Sequence, residues 1–267
     1  MEATQKAPSL DDLELFDTCC TLGTGVFTGV SEWITPENVI AILDRYHIKE
    51  ALVHDHHARF IYPREHGNTR LLETVNNIKR LHPVWVIDPP KQPGKGPAEN
   101  LVGSMLNAGV QAVRFRMNTI PSCAWIWKDL CTALEKHSLP CFLDFGDVST
   151  RGDVSDTDVT GIREICLAHP GLPFVLSHVM GGLGVHPAIM YLIRRVPNLY
   201  IDITGILEYW RETAREAGPE RVLFATGMPF TEPGILISNI QYAAGFTDEE
   251  KKLMAGSNLR RLLGNVQ

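Results

Sequence analysis

The sequence has no basic excess: 25 Lys and Arg stand against 31 Asp and Glu, a formal net charge of −6. A surface for nucleic acid or an anionic membrane needs the opposite sign, so neither is an expected partner. No run of eighteen apolar residues occurs, which excludes a hydrophobic stretch long enough to form a spanning helix. The opening MEATQKAPSLDDLEL holds no apolar stretch of the secretory kind. No two of the six cysteines are spaced as CxxC, and they read as reduced thiols. A cytoplasmic protein is therefore expected. GxGxxG is missing too, which argues against an open dinucleotide-binding sheet.

What is present is a core. Hydrophobic residues make up 44% and charged residues 21% of 267 residues, the composition of one globular domain over 1–267, with a core from about 12 to 264. Short apolar runs recur at Leu13–Phe16, Ala51–Val53, Val84–Ile87, Ala112–Phe115, Cys141–Leu143, Phe174–Leu176, Leu199–Ile203 and Val222–Ala225. Their near-continuous hydrophobicity is that of parallel strands buried on both faces. Helical spacing lies between them: Leu72, Val75, Ile78 and Leu81; Ile162, Ile165, Cys166 and His169; Ile206, Trp210 and Ala214. Thr35-Pro36-Glu37 reads as a helix start, and His82-Pro83, Leu139-Pro140, Leu172-Pro173 and Pro197-Asn198 as helix stops before strands. Eight such units predict an α/β fold, a single (β/α)8 barrel. The irregular stretches Pro89–Pro97 and Phe145–Asp156 follow strands, at the end where barrels carry their sites.

Several stretches resemble the amidohydrolase-related barrel proteins. Phe16-Asp17-Thr18-Cys19-Cys20-Thr21-Leu22-Gly23 is similar to their strand-one motif, Asp-x-His-x-His-x-Gly. Pro140 to Asp144, Phe174 to His178 followed by Gly181-Gly182, Asn198 to Asp202, and Arg221 to Pro229 resemble their strands five to eight, and Asn258 to Gly264 their last helix. The resemblance implies a metal-dependent hydrolase fold in which a divalent ion, commonly zinc, is held at positions corresponding to Cys19, Thr21, Asp144, His178 and Gly227. Of the family's usual ligands only His178 is kept. The missing aspartate at Gly227 would also have been the proton-transferring base, so the ordinary metal-hydroxide mechanism does not carry over.

Two uses remain for the residues in place. Cys19, Asp144 and His178 are acceptable zinc ligands, so a rebuilt three-ligand site is one reading, and buried filler residues are the other. Without metal, His178 can serve as acid or base with Asp144 as its partner, and Cys19 as a nucleophile if His178 lowers its pKa. Alternation places Asp17, Cys19 and Thr21 on one inward face. Arg114 and Arg116 share a face as well. If inward, they need carboxylates, with Asp17, Asp88, Asp144 and Asp202 as candidates; either an anion clamp or an internal ion-pair network results. His54-Asp55-His56-His57 ends strand two, and alternation pairs His54 with His56 as substrate-site candidates, against plain mouth or surface histidines. Gly181–Gly184 could present amides to an anion, Trp125 and Trp127 wall a pocket or pack, and Phe27 and Trp33 form part of a lid.

Two functions compete at this point. One is an enzyme cleaving a C–C, C–N or C–O bond at a small carbonyl or carboxylate substrate. The other is a pseudoenzyme barrel that binds a small anion or a protein partner. A homodimer through barrel helices is compatible with either.

Overall fold

The structure, a computed structural model, describes residues 7–24, 33–146, 156–181, 184–185, 187–206 and 209–266. Eight parallel strands build it: β1 (Phe16–Thr24), β2 (Glu50–Asp55), β3 (Leu81–Val86), β4 (Ala112–Arg116), β5 (Cys141–Asp144), β6 (Phe174–Ser177), β7 (Leu199–Asp202) and β8 (Val222–Leu223). Each pairs with its neighbour in chain order. The ring closes where Thr18 N donates to Phe224 O (3.0 Å), Gly227 N to Cys19 O (3.0 Å) and Thr21 N to Met228 O (2.9 Å). This is a nearly closed (β/α)8 barrel, as the repeating units predict.

Twelve α-helices are described: α1 (Leu10–Leu13), α2 (Pro36–Arg45), α3 (His56–Phe60), α4 (Arg64–Val75), α5 (Lys95–Asn107), α6 (Ala124–Glu135), α7 (Asp156–Ala168), α8 (Pro187–Arg195), α9 (Trp210–Ala217), α10 (Pro233–Gln241), α11 (Asp248–Lys252) and α12 (Asn258–Gly264). The Thr35 start is as read: its hydroxyl accepts from Asn38 N, and the Asn38 side chain closes the box.

Some boundaries differ from the sequence reading. The run Leu13–Phe16 is not strand one. Ser9 caps α1, which takes in Leu13, and the strand begins at Phe16. The Leu72 to Leu81 helix stops at Val75, because Asn77 adopts φ +64 and the chain turns into β3 at Leu81. Ile206 lies before α9, which starts at Trp210. His82-Pro83 falls inside β3 rather than ahead of it.

Two apolar cores result. The larger lies between strands and helices, with Val53, Phe115, Leu143, Leu176 and Trp127 among its members. The smaller fills the barrel at the end where the strands start: Phe16, Leu52, Val84, Ala112, Phe142, Val175 and Leu223, met by Leu259, Leu262 and Leu263 of α12. That floor leaves the opposite end of the barrel to polar groups.

Candidate active site at the barrel mouth

One pleat above the floor, the inward positions turn charged. On β4, Ala112 belongs to the floor, and Arg114 and Arg116 follow on the same face. On β5, Phe142 gives way to Asp144; on β6, Val175 gives way to Ser177. Asp144 collects the cations. Arg116 Nη1 lies 3.1 Å from its Oδ2 and Arg114 Nη1 3.5 Å. A third guanidinium, that of Arg59, grips both oxygens, Nε to Oδ2 at 2.8 Å and Nη2 to Oδ1 at 3.1 Å. His178 Nδ1 stands 3.1 Å from Oδ1, and Gly146 N donates to the same atom at 3.0 Å. Asp202 accepts from Ser177 Oγ (2.6 Å), whose oxygen also accepts from Arg114 Nη1 (3.0 Å).

Burial alone would raise the Asp144 carboxyl, but Arg59, Arg116 and His178 outweigh it and hold the group well below the usual carboxylate range. His178 shifts down, because burial and then Arg59 disfavour its charged form more than Asp144 favours it. It is therefore a neutral imidazole at pH 7. With Nδ1–H donated to Asp144, Nε2 carries the lone pair. Its side chain is 20% exposed while Asp144 is sealed, so the histidine is the member of the pair that meets solvent. The backbone at His178 sits at φ +56. The ring packs so closely on Gly146 that a Cβ there would come within 2.4 Å of His178 Cβ and Cγ.

Only some of the other candidates lie at this centre. Arg114 and Arg116 do face inward together, with Asp144 as the shared carboxylate; Asp88 instead pairs with Arg64 (2.7 Å). Asp17 does not share the inward face of Thr21. A bulge between Asp17 and Cys20 breaks the alternation, so Asp17 is level with Ala51 of the outer core and Thr21 with His54. Asp17 accepts from Thr226 and from Cys19 N (2.9 Å), and burial pushes it up to about 6. Burial pushes the Cys19 thiol up to about 11, so at neutral pH it is a thiol and not a thiolate nucleophile.

His54 lies inside, its Nε2 3.0 Å from Thr21 Oγ1; burial, then Arg114 and Arg59, hold it well below the usual histidine value. His56 is not its partner on the strand. Asp55 ends β2 and caps α3, accepting from His57 N (2.7 Å) and Ala58 N (3.1 Å), so His56 opens a helix and packs on Phe60 (4.7 Å) and Phe230 (6.0 Å). Burial, then Arg59, lowers His56 to about 4.

Trp127 packs on Phe115, while Trp125 is 79% exposed. Gly181 and Gly184 belong to a small hairpin. Phe27, Gly182, Leu183 and residues 147–155 lie outside the described residues. A cavity of about 580 Å3 between α4 and α5 is walled by Trp85, Asp88 and Leu101 among others and does not touch Asp144 or His178.

Sequence reasoning missed Arg59. Its signal in the sequence is its place just past the end of β2, on the face where barrels keep their chemistry.

For a divalent ion the donor set is poor. Among the described residues no three His, Cys, Asp or Glu side chains are grouped to hold one. Thr21 is engaged by His54 and Asp144 by guanidinium groups. Gly227 holds φ +73, where a Cβ would also meet Thr204 Cγ2 at 3.1 Å, so an aspartate at that position is disfavoured by the backbone itself.

The eight-stranded α/β ring, with buried arginines, an aspartate and a histidine at the strand ends, defines the class as a (β/α)8 barrel with a polar mouth. The family profile described as Amidohydrolase matches residues 56–264, and the chain belongs to that family. No curated protein matches it. Among solved structures, an uncharacterised TIM-barrel protein from Bordetella bronchiseptica aligns with TM-score 0.71 at 16% identity, covering 94% of this chain and 98% of that one. A probable 2-pyrone-4,6-dicarboxylic acid hydrolase from Acinetobacter baumannii, with citric acid bound, aligns at 0.68 and 12% identity, covering 94% and 99%. A dihydroxybenzoic acid decarboxylase from Polaromonas, with manganese and 2-nitroresorcinol, aligns at 0.69 and 12% identity, covering 94% and 96%. At these identities the likeness is one of fold.

Proposed function

We propose that the chain is an enzyme that takes a small carboxylate-bearing molecule at the barrel mouth and cleaves a bond beside it by hydrolysis. The observation that carries this reading is the convergence of Arg59, Arg114 and Arg116 on one carboxylate beside a neutral histidine. Buried guanidinium groups in that density attract an anion, and they favour oxygens on which negative charge develops. His178 would act as the base: its Nε2 takes a proton from water while Nδ1–H stays on Asp144. Its lowered pKa favours this role over that of an acid. That two of the structural neighbours act, by name, on carboxylates supports the substrate class. Six free cysteines favour a reducing, cytoplasmic setting.

The test is a panel of carboxylate-bearing lactones, esters and amides assayed with wild-type protein and with His178→Gln. Turnover that falls about a hundredfold or more in kcat in the folded variant, the size of a general-base contribution, is the expected result. The base role fails if the variant turns over equally well. A wild-type protein that binds small carboxylates and turns none over would instead be the binding barrel.

A further inference from the structure

We propose that the Arg59 guanidinium is the resident cation of this site, standing where the fold would otherwise seat a divalent metal ion. The inference rests on taking the barrel mouth as the active site, but not on the substrate being a carboxylate.

Arg59 reaches from α3 across the mouth to the ends of β5 and β6. Its Nε and Nη2 take both oxygens of Asp144, and Nη2 also lies 3.4 Å from Gly146 O and 3.3 and 3.4 Å from the two ring nitrogens of His178. The carboxylate lone pairs that Arg59 takes are ones a metal ion would need, and its charge stands beside the His178 ring that would be a further ligand. An ion and a guanidinium cannot hold them together. Arg59 is 3% exposed, and its carboxylate partner is fully buried, so the pair is not a surface contact that solvent competes for. The plane is braced from the side: Arg59 lies 4.9 Å from the Phe60 ring and Arg116 5.0 Å from the same ring. Nη1 makes no hydrogen bond among the described residues, which leaves a donor for an oxygen of the bound molecule.

A guanidinium supplies one positive charge and directed hydrogen bonds, and it does not exchange with solvent. The substitutions at Cys19, Thr21 and Gly227 then read as one change rather than three losses. Once Arg59 supplies the cation, the remaining ligand positions are released to other contacts.

The test uses manganese chloride and zinc chloride as probes, titrated into metal-stripped protein by calorimetry, with Arg59→Ala, Arg59→Gln and Arg59→Ala/Asp144→Asn beside the wild type. The wild type should take up no metal in a saturable manner. At least one folded Arg59 variant should bind zinc saturably, with an affinity about tenfold or more above the weakest that the wild-type titration would resolve, about 1.4 kcal/mol, and the double variant should lose that gain. One equivalent of metal bound saturably by the wild type would overturn the proposal. So would folded Arg59 variants that gain no affinity. If neither variant folds by circular dichroism, the wild-type titration decides alone, by the same two outcomes. The carboxylate reading can fail separately, if the protein binds no carboxylate yet takes zinc once Arg59 is removed.

Discussion

The floor and the mouth of this barrel are made by the same strands, one pleat apart. Leu52 and His54, Ala112 and Arg114, Phe142 and Asp144, Val175 and Ser177 are successive inward residues on β2, β4, β5 and β6. Below, apolar side chains meet the leucines of α12 and need no partner beyond contact. Above, every inward charge needs another group, and the hydrogen bonds run across strands: β5 to α3, β6 to β7, β1 to β2. The floor tolerates a loosely specified content of similar volume. The mouth residues depend on one another for their partners.

Two substitutions on β5 sharpen that contrast. Asp144→Ala leaves three buried guanidinium groups without their carboxylate and should cost about 3–5 kcal/mol of stability in denaturant titration. Phe142→Ala, one pleat below, should cost a similar ~3–5 kcal/mol by opening a cavity. Added formate should recover part of the first loss and none of the second. Equal recovery in both would erase the distinction.

Acid should act on the mouth and spare the floor. His54, His56 and His178 all have folded-state values below that of the unfolded chain, so the unfolded chain binds protons first. Their contribution is complete above about pH 6.5 and is lost as pH falls through that value, toward about 4 for His56. Asp17 has the opposite sign. Raised to about 6, it makes the fold less stable as pH rises from about 4 to about 6. Asp17→Asn should therefore steepen the acid loss, as followed by stability measured across pH 4 to 7. An unchanged slope would mean that Asp17 does not titrate in this window.

Smaller effects mark the edges of the comparison. Gly227→Ala places a side chain at φ +73 and should cost about 1–2 kcal/mol by thermal unfolding. Trp125, far out in solvent, should change stability by no more than about 0.5 kcal/mol when replaced by Ser.

The barrel was legible because its strands are buried on both faces and read as short apolar runs, whatever the helices between them do. Arg114 and Arg116 were legible as a pair because period two puts them on one face, and Asp144 and His178 through the family resemblance, since alternation alone would turn His178, one residue past the inward Ser177, outward. The bulge at β1 was not, since one extra residue leaves no mark in an alternating pattern, and Asp17 was assigned the wrong side in consequence. Neither was the role of Asp55. As a helix cap it ends β2 one residue before His56, and this both separates the two histidines and points Arg59 into the mouth. Which of four aspartates would meet the inward arginines is a matter of distance in space, and spacing along the chain does not carry it.

In the proposed function the barrel mouth is a cationic seat for a small carboxylate. Calorimetric titration of isophthalate into the wild type and Arg116→Met, at one fixed ionic strength, tests it most directly. The expected result is saturable one-to-one binding that weakens about tenfold or more in the variant, since a charge-assisted hydrogen bond is worth about 1.5–3 kcal/mol. Absence of saturable binding to the wild type, or equal affinity in the two proteins, would contradict it.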